Sequence, residues 1–179
     1  MPRSISLEVT PEDQRIARYA ALAIGLSLAE AALPSPIPGV KPGIANVVIL
    51  WVVLQCGWRA AAWVAMIRVV AGSLLLGTFL APGFWLSLSG SIASLVGLLV
   101  AVRLPPKLFG PVSHSLIAAN CHIAGQLALA ALWFMPGGAV IGLAPLFALA
   151  ALVFGTANGL VVARLIAAKV PPGAQSAHA

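Results

Sequence analysis

Glu30-Ala-Ala-Leu-Pro-Ser-Pro-Ile-Pro-Gly-Val-Lys-Pro-Gly-Ile-Ala-Asn46 separates two apolar runs and holds the last acidic side chain of the chain. Pro34, Pro36, Pro38 and Pro42 keep the backbone extended and remove amide donors, while Gly39 and Gly43 permit turns that other residues resist. The segment is stiff without being regular. It either turns the chain outside a membrane or forms a rigid cap over the outer mouth of a bundle. In the second case Lys41 and Asn46 point at an anionic or carbonyl group of a ligand.

The rest of the chain says which medium surrounds that segment. Of 179 residues 61% are hydrophobic and 8% charged, with a mean hydropathy of +1.04, whereas soluble domains run near a quarter charged. This is the composition of a polytopic membrane protein. A hydrocarbon core of roughly 30 Å demands apolar runs of about 18 to 25 residues from a helix rising 1.5 Å per residue. Six runs are read, over 15–33, 43–57, 60–80, 84–102, 111–134 and 139–168. The second is short, so it is either nearly upright or completed by the loop before it. No period-2 alternation suggests a β-barrel.

Short-loop Lys and Arg accumulate on the cytoplasmic side. With the N-terminus inside, Arg3, Arg15, Arg18, Arg59, Arg103, Lys107, Arg164 and Lys169 all face the cytoplasm, Lys41 falls outside and Arg68 lies within a span. The expected architecture is an all-α bundle of six transmembrane helices with both termini cytoplasmic. Residues 1–14 form a cytoplasmic N-terminal tail, 15–170 the transmembrane domain and 171–179 a disordered C-terminal tail. The net charge of +6 follows from topology and anionic lipid rather than from nucleic-acid binding. Thr10-Pro11-Glu12-Asp13 reads as a helix start, with Thr10 as N-cap and acids in the first turn.

Ionisable side chains in a span cost roughly 2.5 to 3.5 kcal/mol and face a bundle interior or a cavity. Glu30 lies about 18 Å beyond Arg18 along its helix, and Arg68 about 13 Å beyond Arg59. Three roles stay open for Glu30: an ion pair with Arg68 that fixes helix register, a wetted surface carboxylate, or a wall of a ligand chamber opening outward. The fifth run carries Ser113, His114, Ser115, Asn120, Cys121, His122 and Gln126, too many polar groups for a lipid-facing helix. At 100° per residue Ser115, His122 and Gln126 share one face and Ser113 and Asn120 another. One face is read as lining the chamber and the other as bonding a neighbouring helix. The polar ligand contacts are therefore assigned to Glu30, Lys41, Asn46, Arg68, Asn120, His122 and Gln126, with Trp51, Trp63 and their neighbours as apolar wall. Ala17, Ala21, Gly25 and Ala29 form an i, i+4 ladder on the first helix, read either as bundle packing or as a docking groove for a partner membrane protein.

The missing residues are informative too. Only four acids exist, and three of them, Glu8, Glu12 and Asp13, precede the first span. Prenyl diphosphate synthases hold diphosphate with aspartate-rich Mg²⁺ sites, which this chain lacks. There is no P-loop, dinucleotide fingerprint or metal-ligand spacing. Cys56 and Cys121 are read as packing residues. No enzymatic activity, cofactor or metal is expected.

The Glu30–Asn46 segment, Arg68-Val-Val-Ala-Gly-Ser-Leu-Leu-Leu-Gly-Thr78 and Ala119-Asn-Cys-His-Ile-Ala-Gly-Gln126 together resemble the family labelled "Gx transporter" or "heptaprenyl diphosphate synthase component I". The resemblance runs from about Arg15 to Ala168. It implies a fold similar to the S components of energy-coupling-factor vitamin transporters, bacterial inner-membrane proteins with an outward-facing ligand chamber. In those relatives a small-residue ladder on helix 1, matched here by Ala17, Ala21, Gly25 and Ala29, contacts a transmembrane coupling protein driven by ATPases. The function so implied is binding and transport of a small vitamin- or precursor-like solute. Two alternatives follow from the same resemblance: a membrane subunit of a flavin- or quinone-linked electron-transfer system with a flavinylated partner, or a non-catalytic accessory subunit of isoprenoid synthesis.

Overall fold

The computed structural model describes residues 8–34, 42–135 and 138–169. Lys41, most of the proline-rich segment and the expected C-terminal tail lie outside the described residues. Among the described residues six α-helices follow in order: α1 Pro11–Ala32, α2 Ala45–Cys56, α3 Trp58–Leu75, α4 Pro82–Ala101, α5 Pro111–Leu129 and α6 Ala139–Lys169. A π-helical turn, Ala130–Phe134, extends α5. No strand occurs among the described residues.

Local chemistry sets the helix ends. Asp13 N–H donates to the Thr10 hydroxyl at 3.2 Å while the Asp13 carboxylate accepts from Thr10 N–H at 2.9 Å and Thr10 Oγ1 at 2.7 Å. This reciprocal capping box satisfies orphan donors at the start of α1. Proline stands in the first turn of α1, α4 and α5, where its missing N–H costs no helical bond. The third helix is shorter than the run to Leu80 expected from composition. Gly77 at φ +67° turns the chain left-handed, and the Thr78 N–H returns to Ser73 O at 2.8 Å, which ends the helix.

Four helical stretches are long and apolar enough to cross a membrane: α3, α4, α5 with its π turn, and α6. The chain is a multi-pass membrane protein. The 12-residue α2 covers only about 18 Å and is apolar around its whole circumference, the pattern of a helix surrounded by protein. Its Val48, Ile49, Leu50, Val52 and Val53 are buried. Each helix packs on the next in the order α1, α3, α4, α5, α6, α2 and back to α1, and α2 also packs across onto α3.

Lipid is as apolar as leucine, so close fit and hydrogen bonds hold such helices together. A Cβ on Gly159 would come within 2.6 Å of Val112 Cα, so α6 and α5 touch backbone to backbone. A Cβ on Gly125 would meet Ala93 Cβ at 2.6 Å and Ser89 O at 2.8 Å, the same device between α5 and α4. At the tightly packed end, where α2, α4 and α6 terminate, the Trp58 indole donates to Leu95 O at 2.9 Å, His114 Nε2 lies 3.0 Å from Ala101 O, and Lys169 donates to Gln55 at 2.8 Å. Arg59, Arg103, Lys107, Arg164 and Lys169 are exposed there.

Candidate functional site

The other end of the bundle is hollow. A cavity of about 400 Å³ is walled by the C-terminal half of α1, the start of α2, the end of α3, the start of α4, the middle of α5 and the first half of α6. Glu30, Asn46, Arg68, His122 and Gln126 all line it. The structure thus brings five dispersed polar residues from four helices to one space.

Glu30 is buried and does not pair with Arg68: no ion pair within 4.0 Å joins them. Its Oε1 accepts from the Gly43 N–H and its Oε2 from the Ile44 N–H, the latter at 3.2 Å. These amides open α2, whose N-cap Ile44 offers no side-chain acceptor. A helix start carries unpaired N–H groups and partial positive charge. Helix α1 therefore supplies through space the cap that α2 lacks in sequence. Of the three roles open to it, the register-fixing pair with Arg68 is absent, and the carboxylate sits on main chain. Charge-assisted hydrogen bonds contribute about 1.5 to 3 kcal/mol each, enough for two of them to offset the roughly 3 kcal/mol cost of an acid in a span.

The same backbone is held from the opposite side. Asn158 of α6 donates Nδ2 to Pro42 O at 3.3 Å and to Gly43 O at 3.2 Å. Gly43 sits at φ +66°, and a Cβ there would lie 2.8 Å from the Asn46 amide nitrogen. The left-handed φ disfavours a larger residue there. Asn158 was not among the sequence candidates. Its signal was present, an amide between Gly155 and Gly159 of an otherwise apolar helix.

Arg68 presents the opposite case. Its Nε is buried without a hydrogen-bond partner, and no carboxylate lies within 4.0 Å. His122 Nδ1 is likewise buried and unpartnered. The His122 ring and the Gln126 stem rest on Gly90 of α4, where a Cβ would approach them to 2.7 and 2.8 Å. This contact fixes the polar face of α5 against the cavity.

Two expectations change. Asn120 is exposed, away from the cavity, and its Nδ2 donates to Leu116 O at 2.9 Å, one turn back on its own helix. An intrahelical bond satisfies an amide that has no neighbouring helix to reach. Trp51 and Trp63 do not wall the cavity either. The Trp51 indole donates to Tyr19 OH at 3.3 Å with Lys169 Nζ over its ring, and Trp63 is 61% exposed. The apolar walls come from Phe84, Phe147, Phe154, Leu76, Leu86 and Ile123. Phe84 begins a chain of aromatic contacts through Trp85 and Trp133 to Phe134, with centroid separations of 5.2, 5.7 and 5.5 Å. Such rings suit the membrane interface.

The ladder Ala17, Ala21, Gly25 and Ala29 faces outward, every member exposed, and nothing lies within 4 Å of a Cβ placed on Gly25. It does not pack within the bundle. The opposite face of α1, with Ala20 and Ala23, is the one buried.

A family model described as heptaprenyl diphosphate synthase component I matches residues 19–165, and the chain belongs to that family. No curated protein and no solved structure matches it.

Proposed function

We propose that this member of the heptaprenyl diphosphate synthase component I family is a substrate-binding membrane subunit that captures a small organic solute and passes it across a bacterial inner membrane. The observation that carries this reading is the cavity itself, a ligand-sized space into which Glu30, Asn46, Arg68, His122 and Gln126 converge from four helices. All six helices span in this reading. Both termini are cytoplasmic, because the exposed Arg59, Arg103, Lys107, Arg164 and Lys169 gather at the packed end and basic residues favour the cytoplasmic side. The hollow end then faces outward. The polar groups bind solute and need perform no chemistry.

The outward ladder of α1 suits a coupling partner in the membrane, since small residues let a second backbone approach closely. Mass spectrometry of protein purified in mild detergent is expected to find a bound small molecule, and a deletion strain is expected to lose its uptake. A preparation free of solute together with undiminished uptake of candidate solutes would reject the reading. The family's description favours a second reading, a non-catalytic membrane partner of a prenyl synthase. Copurification of a soluble synthase from the same preparation would support it.

A further inference from the structure

We infer that the cavity's ligand carries an oxyanion, a carboxylate or a phosphate, attached to a compact apolar body, and that Arg68 is the residue that receives it. This rests on the reading of the cavity as a solute chamber and specifies which chemistry fills it.

The argument begins with the two opposite charges that line the space. Each costs roughly 2.5 to 3.5 kcal/mol to place in a span. Glu30 recovers that cost from the Gly43 and Ile44 amides, so its negative charge is already engaged. Arg68 is compensated only at a distance, by the Glu30 charge, which lies too far for an ion pair; among the described residues no hydrogen bond reaches its guanidinium, and Nε is buried without a partner. The protein places a cation at the cavity wall and ties the oxygens of the nearby acid to main chain.

A guanidinium is a planar fork of donors that matches carboxylate and phosphate oxygens two at a time. His122 and Gln126 on α5 and Asn46 on α2 add uncharged polar groups to the lining. The remainder of the wall, with Phe84, Phe147 and Phe154, accepts an apolar and preferably flat body. A neutral polar solute would leave Arg68 as it stands; a cation would be repelled by it.

Benzoate, phenyl phosphate and neutral benzamide share a body and differ in the group offered to Arg68. Titrated into the full-length protein in detergent and followed by calorimetry, at least one of the two anions is expected to bind tenfold or more tightly than benzamide. The stronger anion identifies carboxylate or phosphate as the natural group. Arg68→Gln is expected to abolish the preference, the anions then binding no more tightly than benzamide, and Arg68→Lys to keep part of it. Equal binding of benzamide and both anions to the wild type, or a preference that survives in Arg68→Gln, overturns the assignment of Arg68 and leaves the solute chamber standing. Binding of none of the three overturns the inference, and the chamber reading then stands or falls on copurified solute and uptake. Should Arg68→Gln fail to fold, the wild-type comparison of both anions with benzamide and its weakening in Arg68→Lys decide.

Discussion

At the end of the bundle where α2, α4 and α6 terminate, Val52, Val64, Leu98 and Val162 are almost fully enclosed and glycines bring backbones into contact. At the opposite end the same six helices splay around about 400 Å³ of open space with polar side chains on its walls. The first region spends its small residues on contact; the second spends its charged and amide residues on a hollow. Close packing is what holds membrane helices together, so the packed end supplies rigidity. Within the hollow end the start of α2 is tied by hydrogen bonds to Glu30 and Asn158, and His122 and Gln126 of α5 rest on Gly90. Close packing and open space are thus separated along the axis of the bundle.

That separation can be broken at its strongest point by Gly159→Val. Its Cβ would stand 2.6 Å from Val112 Cα, a backbone atom that cannot swing aside. The expected loss is about 3 kcal/mol, the upper part of the range for overpacking, seen as a lower melting temperature in detergent with little folded protein recovered. A sharper contrast comes from the two charges of the hollow end. Glu30→Gln keeps one acceptor oxygen but loses its charge, with an expected cost of about 1.5 to 3 kcal/mol, whereas Arg68→Gln breaks no hydrogen bond and should leave the melting temperature unchanged or raised. Equal destabilisation by both would mean that Arg68 is structural.

The smallest effect belongs to the start of α1. The Thr10 hydroxyl, and then its backbone N–H, hold the exposed Asp13 carboxyl below its ordinary value of 3.8. Because the folded value is depressed, this contribution is fully present above the ordinary carboxylate value and is lost as pH falls through the folded one. Acidification below 3.8 should fray only the first turn of α1, read as faster proteolysis near Thr10, and Thr10→Ala should produce the same fraying at neutral pH. The bundle beyond it should be untouched.

Much of this division was legible in residue order. Hydropathy located all six helices, the Thr10–Asp13 pattern marked the first helix start, and helical spacing put His122 and Gln126 on one face. The partner of Glu30 was not legible, because it is main chain 13 residues away and amides carry no sequence identity. An indirect sign existed: α2 begins at Pro42-Gly43-Ile44 without Ser, Thr, Asp or Asn at its cap, so its orphan N–H groups had to be met from elsewhere. The walls were misplaced for a related reason. Tryptophan was taken as the natural lining, but its indole N–H seeks an acceptor, and Trp51 found one in Tyr19, leaving phenylalanines to face the cavity.

The attachment of Pro42–Ile44 is made entirely through peptide groups, with Glu30 and Asn158 gripping N–H and C=O. Any residue but proline at position 44 would offer the same N–H, and Gly43 is constrained by its φ of +66°. The attachment is therefore indifferent to the other side chains of Pro42–Ile44. Those side chains can be exchanged without loosening the start of α2, provided that Gly43 and its two distant anchors are left alone.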